Sequence, residues 1–364
     1  MHDGNVQDLE GVRSAFTDPE EFWSSPLYRR LSATVATDPS LVAPAAHARS
    51  GQGPTFAFFG AVHAVLLDGA RHPLGSYYPS VCGEAAWPPD DGAGLALVDF
   101  AQEHGEELRR LLGVRLVQTN HAHRALALRL GLSSLAPRVG PRPAHLLEVG
   151  SSAGLVLRQA AYGYRLGGRA FGDRASPVPL AAEWRSEAPV PDLDAVPTLA
   201  STTGIDLNPL DPADQADRRW LQALVWPENR GQAQLMTTAL KLAARTPVEI
   251  LAGDAVERCP QWAERVPGGE PRIVFHCATR MHVPVERRPT FDQAIDDLGR
   301  DGPLYLIVDQ GGGITVSGPD GHTERQFDAD GHLTWANPHG QQADTASDVA
   351  RERARSADAP RPVR

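Results

Sequence analysis

Residues 148–154, Glu-Val-Gly-Ser-Ser-Ala-Gly, place a carboxylate two positions before a run of small residues, a spacing that can serve three kinds of chemistry. The preceding "HLLEV" is apolar, so the small residues read as a turn that leaves a strand and enters a helix. A dinucleotide pyrophosphate needs G-x-G-x-x-G, with glycines for the tight turn, the close backbone approach and the helix packing. Counted from Gly150, the second and third places hold Ser152 and Leu155, which argues against that use. A nucleophile elbow needs G-x-S-x-G, and Gly150, Ser152 and Gly154 supply it. Asp309, with His322, His332 or His339, would complete a Ser-Asp-His order. Against the elbow, the segments before the turn look helical and no HGGG-like oxyanion segment precedes it.

The third use is an E-x-G-x-G-x-G turn of the kind that holds S-adenosylmethionine. Glu148, Gly150 and Gly154 match it, and Ser152 stands in the middle glycine's place. Small residues let the backbone approach the methionine portion of the cofactor, while the acid organises the loop or meets the amino group. In "TGIDLNP", Asp206 ends a second strand, with Asn208 just beyond, where a carboxylate can accept both ribose hydroxyls. In "EILAGDAVE", Asp254 and the following Ala255 end a third strand, where an acid can accept the adenine amino group. Taken singly, Asp206 can serve as a turn cap before Pro209 and Asp254 as a helix cap. Three acids at the ligand-binding ends of neighbouring strands form a constellation instead.

A methyl acceptor must lose a proton, and "VFHCATRMH" after the fourth strand offers His276 and His282 as bases. A hydrogen-bonded histidine at a strand end is the plainer reading of His276. Upstream, "VQTNHAHR" offers Asn120 and Arg124, one helical turn apart if the segment is helical, as substrate contacts or as part of a solvated face. His121 and His123 point apart at that spacing, with no cysteine or acid to complete a metal site. Cys277 reads as packing.

The elements that must position these groups alternate from residue 145. "HLLEV", "TGIDL", "VEILAG", "RIVFHC" and "PLYLIVD" are strand-like and are separated by the helical runs "LVLRQAAYGY", "DQADRRWLQALVW", 256–265 and "RRPTFDQAIDDLG". That rhythm makes a mostly parallel sheet covered on both faces. Trp220, Leu221, Leu224 and Val225 share one side of their helix and read as core. Residues 16–133 carry helical patterns, including the apolar "AFFGAVHAVLL", which is too short to cross a bilayer. The Pro- and Gly-rich 134–144 is a linker and the Pro-rich 167–200 an insertion. Asp320-Gly321 and Asp330-Gly331 mark an antiparallel meander over 313–340, after Gly311-Gly312-Gly313. Residues 1–15 are expected to be flexible and the polar 341–364 disordered.

The 364 residues carry a net charge of −10, with the acids dispersed, so neither nucleic acid nor an anionic membrane is an expected partner. The three cysteines are far apart and suit a reducing cytoplasm, and the N-terminus lacks the pattern of a signal peptide.

"EVGSSAGL", "GIDLNPLDPADQADRRWLQALVWPE", "AGDAVE" and "IVFH" together resemble the domain of unknown function 2332 family of high-GC bacteria, from about "LYRRLSATVA" through "HLTWANPHG". That family often carries an acid after the Thr-Asn pair, where this chain has His121. The resemblance implies a sheet domain similar to S-adenosylmethionine-dependent methyltransferases. The expected protein is therefore α/β: a Rossmann-like, methyltransferase-type parallel sheet over 145–312, preceded by a helical subdomain that closes over the site. It is expected to be cytoplasmic, to use S-adenosylmethionine and no metal, and to methylate an oxygen or nitrogen of a small molecule. The alternatives are a non-catalytic methyltransferase-like binding or regulatory protein, and a serine hydrolase using Ser152.

Overall fold

Short apolar runs ended by Gly, Asp or Pro become strands from residue 144 onward. The computed structural model describes residues 7–18, 21–22, 24–184, 189–309 and 314–319, with the backbone of 323–327, 333–336 and 342–343. Its strands are β1 (Ala144–Val149), β2 (Gly163–Leu166), β3 (Arg169–Gly172), β4 (Pro179–Trp184), β5 (Leu199–Asp206) and β6 (Glu249–Ala252). They continue with β7 (Arg272–Cys277), β8 (Leu304–Asp309), β9 (Ile314–Ser317), β10 (Thr323–Phe327), β11 (Leu333–Ala336) and β12 (Gln342–Ala343). A seven-stranded sheet runs in the order β10-β9-β8-β7-β1-β5-β6. Every pair from β6 to β8 is parallel, and β9 and β10 add an antiparallel edge. In chain order the parallel part reads 3-2-1-4-5, a Rossmann-like arrangement whose order reverses between β1 and β7, the place where such sheets bind ligands.

One face of the sheet buries Leu147, Val149, Ile205 and Val274 against Trp262 and Phe291 from the helices Ala255–Ala263 and Arg288–Asp296. The opposite face takes the helix Arg124–Val139, brought close by Gly131, where a Cβ would lie 2.5 Å from Ile307 Cγ2. This helix runs through most of the expected linker: Pro137 sits in its last turn and the chain leaves only at Gly140, at φ +72°. Upstream, the helix does not reach back to Asn120, so Asn120 and Arg124 do not share a helical face.

The expected helix after β1 is reduced to the short 3-10 segment Val156–Ala161, interrupted at Arg158 (φ −85°, ψ 17°). Gly154 turns the chain at φ +66°, and Tyr162 and Tyr164 hydroxyls donate to the carbonyls of Leu155 and Gln159, both at 2.6 Å. The 167–200 region is a second sheet of order β12-β11-β4-β2-β3, which begins earlier, at Gly163. The expected meander is thereby divided: β9 and β10 extend the first sheet, β11 and β12 the second. The glycines 311–313, both Asp-Gly turns, His322, His332, His339 and the tail beyond residue 343 lie outside the described residues, as do residues 1–6 of the N-terminal stretch.

The chain divides into two compact units, one formed by Met1–Thr119 with Asp214–Thr237 and the other by Asn120–Ala213 with Thr238–Arg364. The first is helical and is not continuous in sequence, unlike the expected 16–133. Its centre is the buried helix Pro54–Leu67, where Gly60 admits the side chains of Trp220 and Leu224; a Cβ there would lie 3.2 and 3.0 Å from them. Trp220 donates its indole N–H to Leu116 O at 2.7 Å. The helix Gln215–Ala223, whose sequence position is that of a sheet-covering crossover, thus belongs to this helical unit. Glu228 accepts from Ser25 Oγ and Leu27 N at 2.8 and 2.9 Å, fixing the start of the helix Pro26–Thr37. Among the described residues, no helix is long and apolar enough to cross a membrane.

Candidate functional site

The turn after β1 stands where the strand order reverses, and its backbone is unusual. Gly150, Ser152 and Gly154 all have positive φ, at +83°, +51° and +66°. For Ser152 this is the left-handed region that non-glycine residues rarely enter. The neighbouring loop after β7 carries a second case, Ala278 at φ +55°. The two loops meet closely: a Cβ on Gly150 would lie 2.3 Å from Thr279 Oγ1, which donates to Val149 O at 2.8 Å. Such strain persists only where the surroundings over-determine it, and it collects at ligand sites.

Four side chains hold this geometry. Asp206 accepts from Ser152 N at 2.7 Å and from Asn208 N at 2.8 Å, tying the end of β5 to the turn. Asn120 donates to Ser151 O at 2.9 Å and accepts from Leu155 N at 3.3 Å, bridging the two ends of the turn. Ser151, fully buried, fits against Gly204, where a Cβ would lie 2.4 Å from its Oγ. Arg158 donates to the carbonyls of Ala153, Gly154, Thr246 and Ala243 at 2.7–3.1 Å. Sequence reading missed Arg158 and Thr279. The signal for Arg158 was a lone arginine inside the apolar run "LVLRQAA".

Glu148 sits at the end of β1 with 3% of its surface exposed. Leu147 and Val149 face the core, so alternation points Glu148 to the opposite face. Its Oε2 has no hydrogen-bond partner, and Ser152 Oγ is likewise buried and unpartnered. Buried polar atoms are nearly always paired, so two orphans beside one turn are atoms a bound molecule would satisfy. Burial pushes the Glu148 carboxyl well above the usual range; Arg124 opposes that rise, Asp206 adds to it and Arg158 opposes it. Arg124 acts also on Cys277, whose thiol burial pushes up and which donates to Asp309 Oδ2 at 3.4 Å. Glu148 thus lies within electrostatic reach of Arg124, Arg158, Asp206 and Cys277.

A raised carboxyl has a signed consequence. Below the unfolded value near 4.5, both folded and unfolded chains hold the Glu148 proton. As pH rises through the window above it, the unfolded chain ionises first and stability falls. Glu148→Gln, neutral at every pH, is expected to become increasingly more stable than the native chain from pH 5 to 8. Urea midpoints at matched pH measure this, and a constant difference would contradict it.

The other expected residues are placed differently. Asp254 caps the helix Ala255–Ala263 through Val256 N at 2.9 Å, and its Oδ2 pairs with Arg287 at 2.7 Å, so both oxygens have protein partners. Ala255 is buried in the first turn of that helix. His276, 3% exposed, lies on the face of Val274, with its ring edge-on to Phe291 at 6.0 Å; burial lowers it to about 4. It is thus on the opposite side of the sheet from Glu148. His282 is exposed in the turn Arg280–His282, and partial burial with the Arg124 guanidinium holds it below the usual histidine range. His121 and His123 are lowered by burial to about 3 and about 4, with Arg124 adding to the effect on His121. Ser152 has the left-handed backbone of an elbow, but the histidines offered as its partners lie outside the described residues.

A parallel sheet in 3-2-1-4-5 order, with a strained small-residue turn at its reversal, defines an α/β protein of Rossmann-like type. The family described as "Uncharacterized protein conserved in bacteria (DUF2332)" matches residues 14–351, and the chain belongs to it. No curated protein and no solved structure matches the chain.

Proposed function

We propose that this chain binds S-adenosylmethionine at the carboxyl edge of its sheet and transfers the methyl group to an oxygen or nitrogen of a small molecule. The observation that carries the reading is the pair of buried, unpartnered atoms, Glu148 Oε2 and Ser152 Oγ, beside the turn at the strand-order reversal. They suit a ligand that brings both donors and acceptors, as the amino acid end of the cofactor does. Asp206 suits the ribose: a carboxylate oxygen accepts more than one hydrogen bond, so it can take hydroxyls while it holds Ser152 N and Asn208 N. Asp254 is the weakest of the expected contacts, because Arg287 and the helix cap already engage it.

When bound, S-adenosylmethionine supplies a methyl group on a positively charged sulfur. Glu148, Ser152 and Asp206 bind and orient, and Arg124 sets the charge of the edge. The acceptor must give up a proton as its lone pair takes the methyl group. His282, exposed on the loop after β7 and held neutral near pH 7, receives it. His276, facing the other way and lowered to about 4, is poorly suited to that task.

Calorimetric titration of S-adenosylmethionine tests the reading. The native chain is expected to bind in the micromolar range. Asp206→Asn, which removes one charge-assisted acceptor, is expected to weaken binding by about 10–100-fold. No heat of binding to the native chain would sink the proposal. Binding without turnover across an acceptor panel would favour the non-catalytic relative.

A further inference from the structure

The amino edge of the same sheet carries a second constellation that the proposed function does not use. His145 at the start of β1 and Ser201 on β5 are register partners on adjacent parallel strands. His145 Nδ1 and Ser201 Oγ are 2.7 Å apart, and His145 Nε2 and Glu270 Oε2 are 2.5 Å apart. The histidine ring is almost enclosed, at 9% exposure, while the Glu270 side chain is 35% exposed and Ser201 is half-buried. Arg142 is held alongside by its bond to Gly269 O at 3.1 Å, on the residue before Glu270.

We propose that Ser201, His145 and Glu270 form a nucleophile–base–acid triad that hydrolyses small carboxylic esters at the amino edge of the sheet. The requirement for such chemistry is a hydroxyl within hydrogen-bond reach of a base, with the base oriented by a third group. Here the carboxylate is on the far ring nitrogen, where it fixes the tautomer that leaves Nδ1 able to accept the serine proton. It then stabilises the imidazolium that forms. Ser201 Oγ attacks the ester carbonyl as its proton passes to His145, and the alcohol leaves with that proton. Water, deprotonated by the same ring, then releases the acid and restores the serine. Arg142, exposed and bonded to Gly269 O next to Glu270, is the cation to which the developing oxyanion charge is assigned.

A second serine–histidine pair sets the comparison. In the helical unit, His63 Nε2 and Ser80 Oγ are also 2.7 Å apart, but His63 Nδ1 meets the backbone carbonyl of Ala223 at 2.9 Å. A neutral carbonyl stabilises an imidazolium far less than a carboxylate does, and burial lowers His63 to about 4. That ring reads as a core staple between Pro54–Leu67 and the helix Gln215–Ala223.

The test uses the full chain, a fluorophosphonate probe with peptide mapping, and p-nitrophenyl acetate. The probe is expected on Ser201. Ser201→Ala should abolish labelling and lower acetate hydrolysis by at least about 100-fold, within the range seen when a nucleophile is removed. Glu270→Gln, at a half-exposed position that the fold tolerates, should lower kcat by about tenfold or more with KM unchanged, the mark of a positioning residue. The absence of any label overturns the proposal. So does a label on Ser80 or Ser152 that survives Ser201→Ala, or a Glu270→Gln chain that hydrolyses acetate as fast as the native one. S-adenosylmethionine titration of Ser201→Ala keeps the two edges separate, since the carboxyl-edge site does not include Ser201.

Discussion

Gly150→Ala is expected to cost about 2–5 kcal/mol and to abolish S-adenosylmethionine binding. Two contributions add. A left-handed φ of +83° costs a non-glycine residue roughly 1–2 kcal/mol. The new Cβ would stand 2.3 Å from Thr279 Oγ1 and 2.9 Å from its Cγ2, an overpacking that costs about 1–3 kcal/mol. A double-mutant cycle separates them. Thr279→Ala removes the clash but leaves the backbone strain, so the double variant should recover only part of the loss, by about 1–2 kcal/mol of coupling. Urea unfolding, read with hydrogen exchange over residues 145–160, makes the measurement. A Gly150→Ala chain within about 0.5 kcal/mol of native would show that the turn can relax and that its shape is not imposed.

Arg158→Met should be more damaging still, by about 3–5 kcal/mol. Its guanidinium supplies donors to the carbonyls of Ala153, Gly154, Thr246 and Ala243, in a place only 6% exposed. Methionine fills similar volume but leaves those acceptors without this partner. Lysine should not rescue, because a single ammonium cannot reach four carbonyls in a fixed planar fork. For a unit of this size the thermal midpoint should fall by about 6–20 °C. A fall of under about 2 °C would mean that water replaces the arginine without loss, and that the turn is held by Asp206 and Asn120 alone.

These two positions also show what could be read from the chain before its fold. The parallel strands were legible because "HLLEV", "RIVFHC" and "YLIVD" are short apolar runs with punctuated ends, and burial on both faces requires that pattern. Asp254 carried both its meanings openly, acid at a strand end and helix cap. The helix Gln215–Ala223 showed its apolar stripe but not what the stripe packs on, because amphipathicity records a buried face and no partner. Its assignment to the helical unit depends on Gly60, more than 150 positions earlier in the chain. The second sheet was hidden for a related reason: β4 pairs with β11 across a long gap in sequence.

At the site, the small-residue turn announced itself, whereas the residues that shape it did not. Asn120 reads with Arg124 as one helical face; the helix begins only at Arg124, and the Asn120 amide spans the turn at Ser151 and Leu155. Thr279 and Arg158 act through backbone carbonyls, and a carbonyl partner leaves no mark on residue type.

The interrupted helical unit also sets an order of events during synthesis. Its first 119 residues leave the ribosome without the segment that carries Trp220, Leu224 and Glu228, which belongs to residues 214–237. Until that segment emerges, Gly60 has no indole beside it, His63 lacks the Ala223 carbonyl, and the start of Pro26–Thr37 lacks its Glu228 anchor. Between the two pieces the ribosome delivers β1 to β5, and β1 in turn waits for β7. Neither unit can complete its core before its later segments emerge, so both stay half-built through most of synthesis.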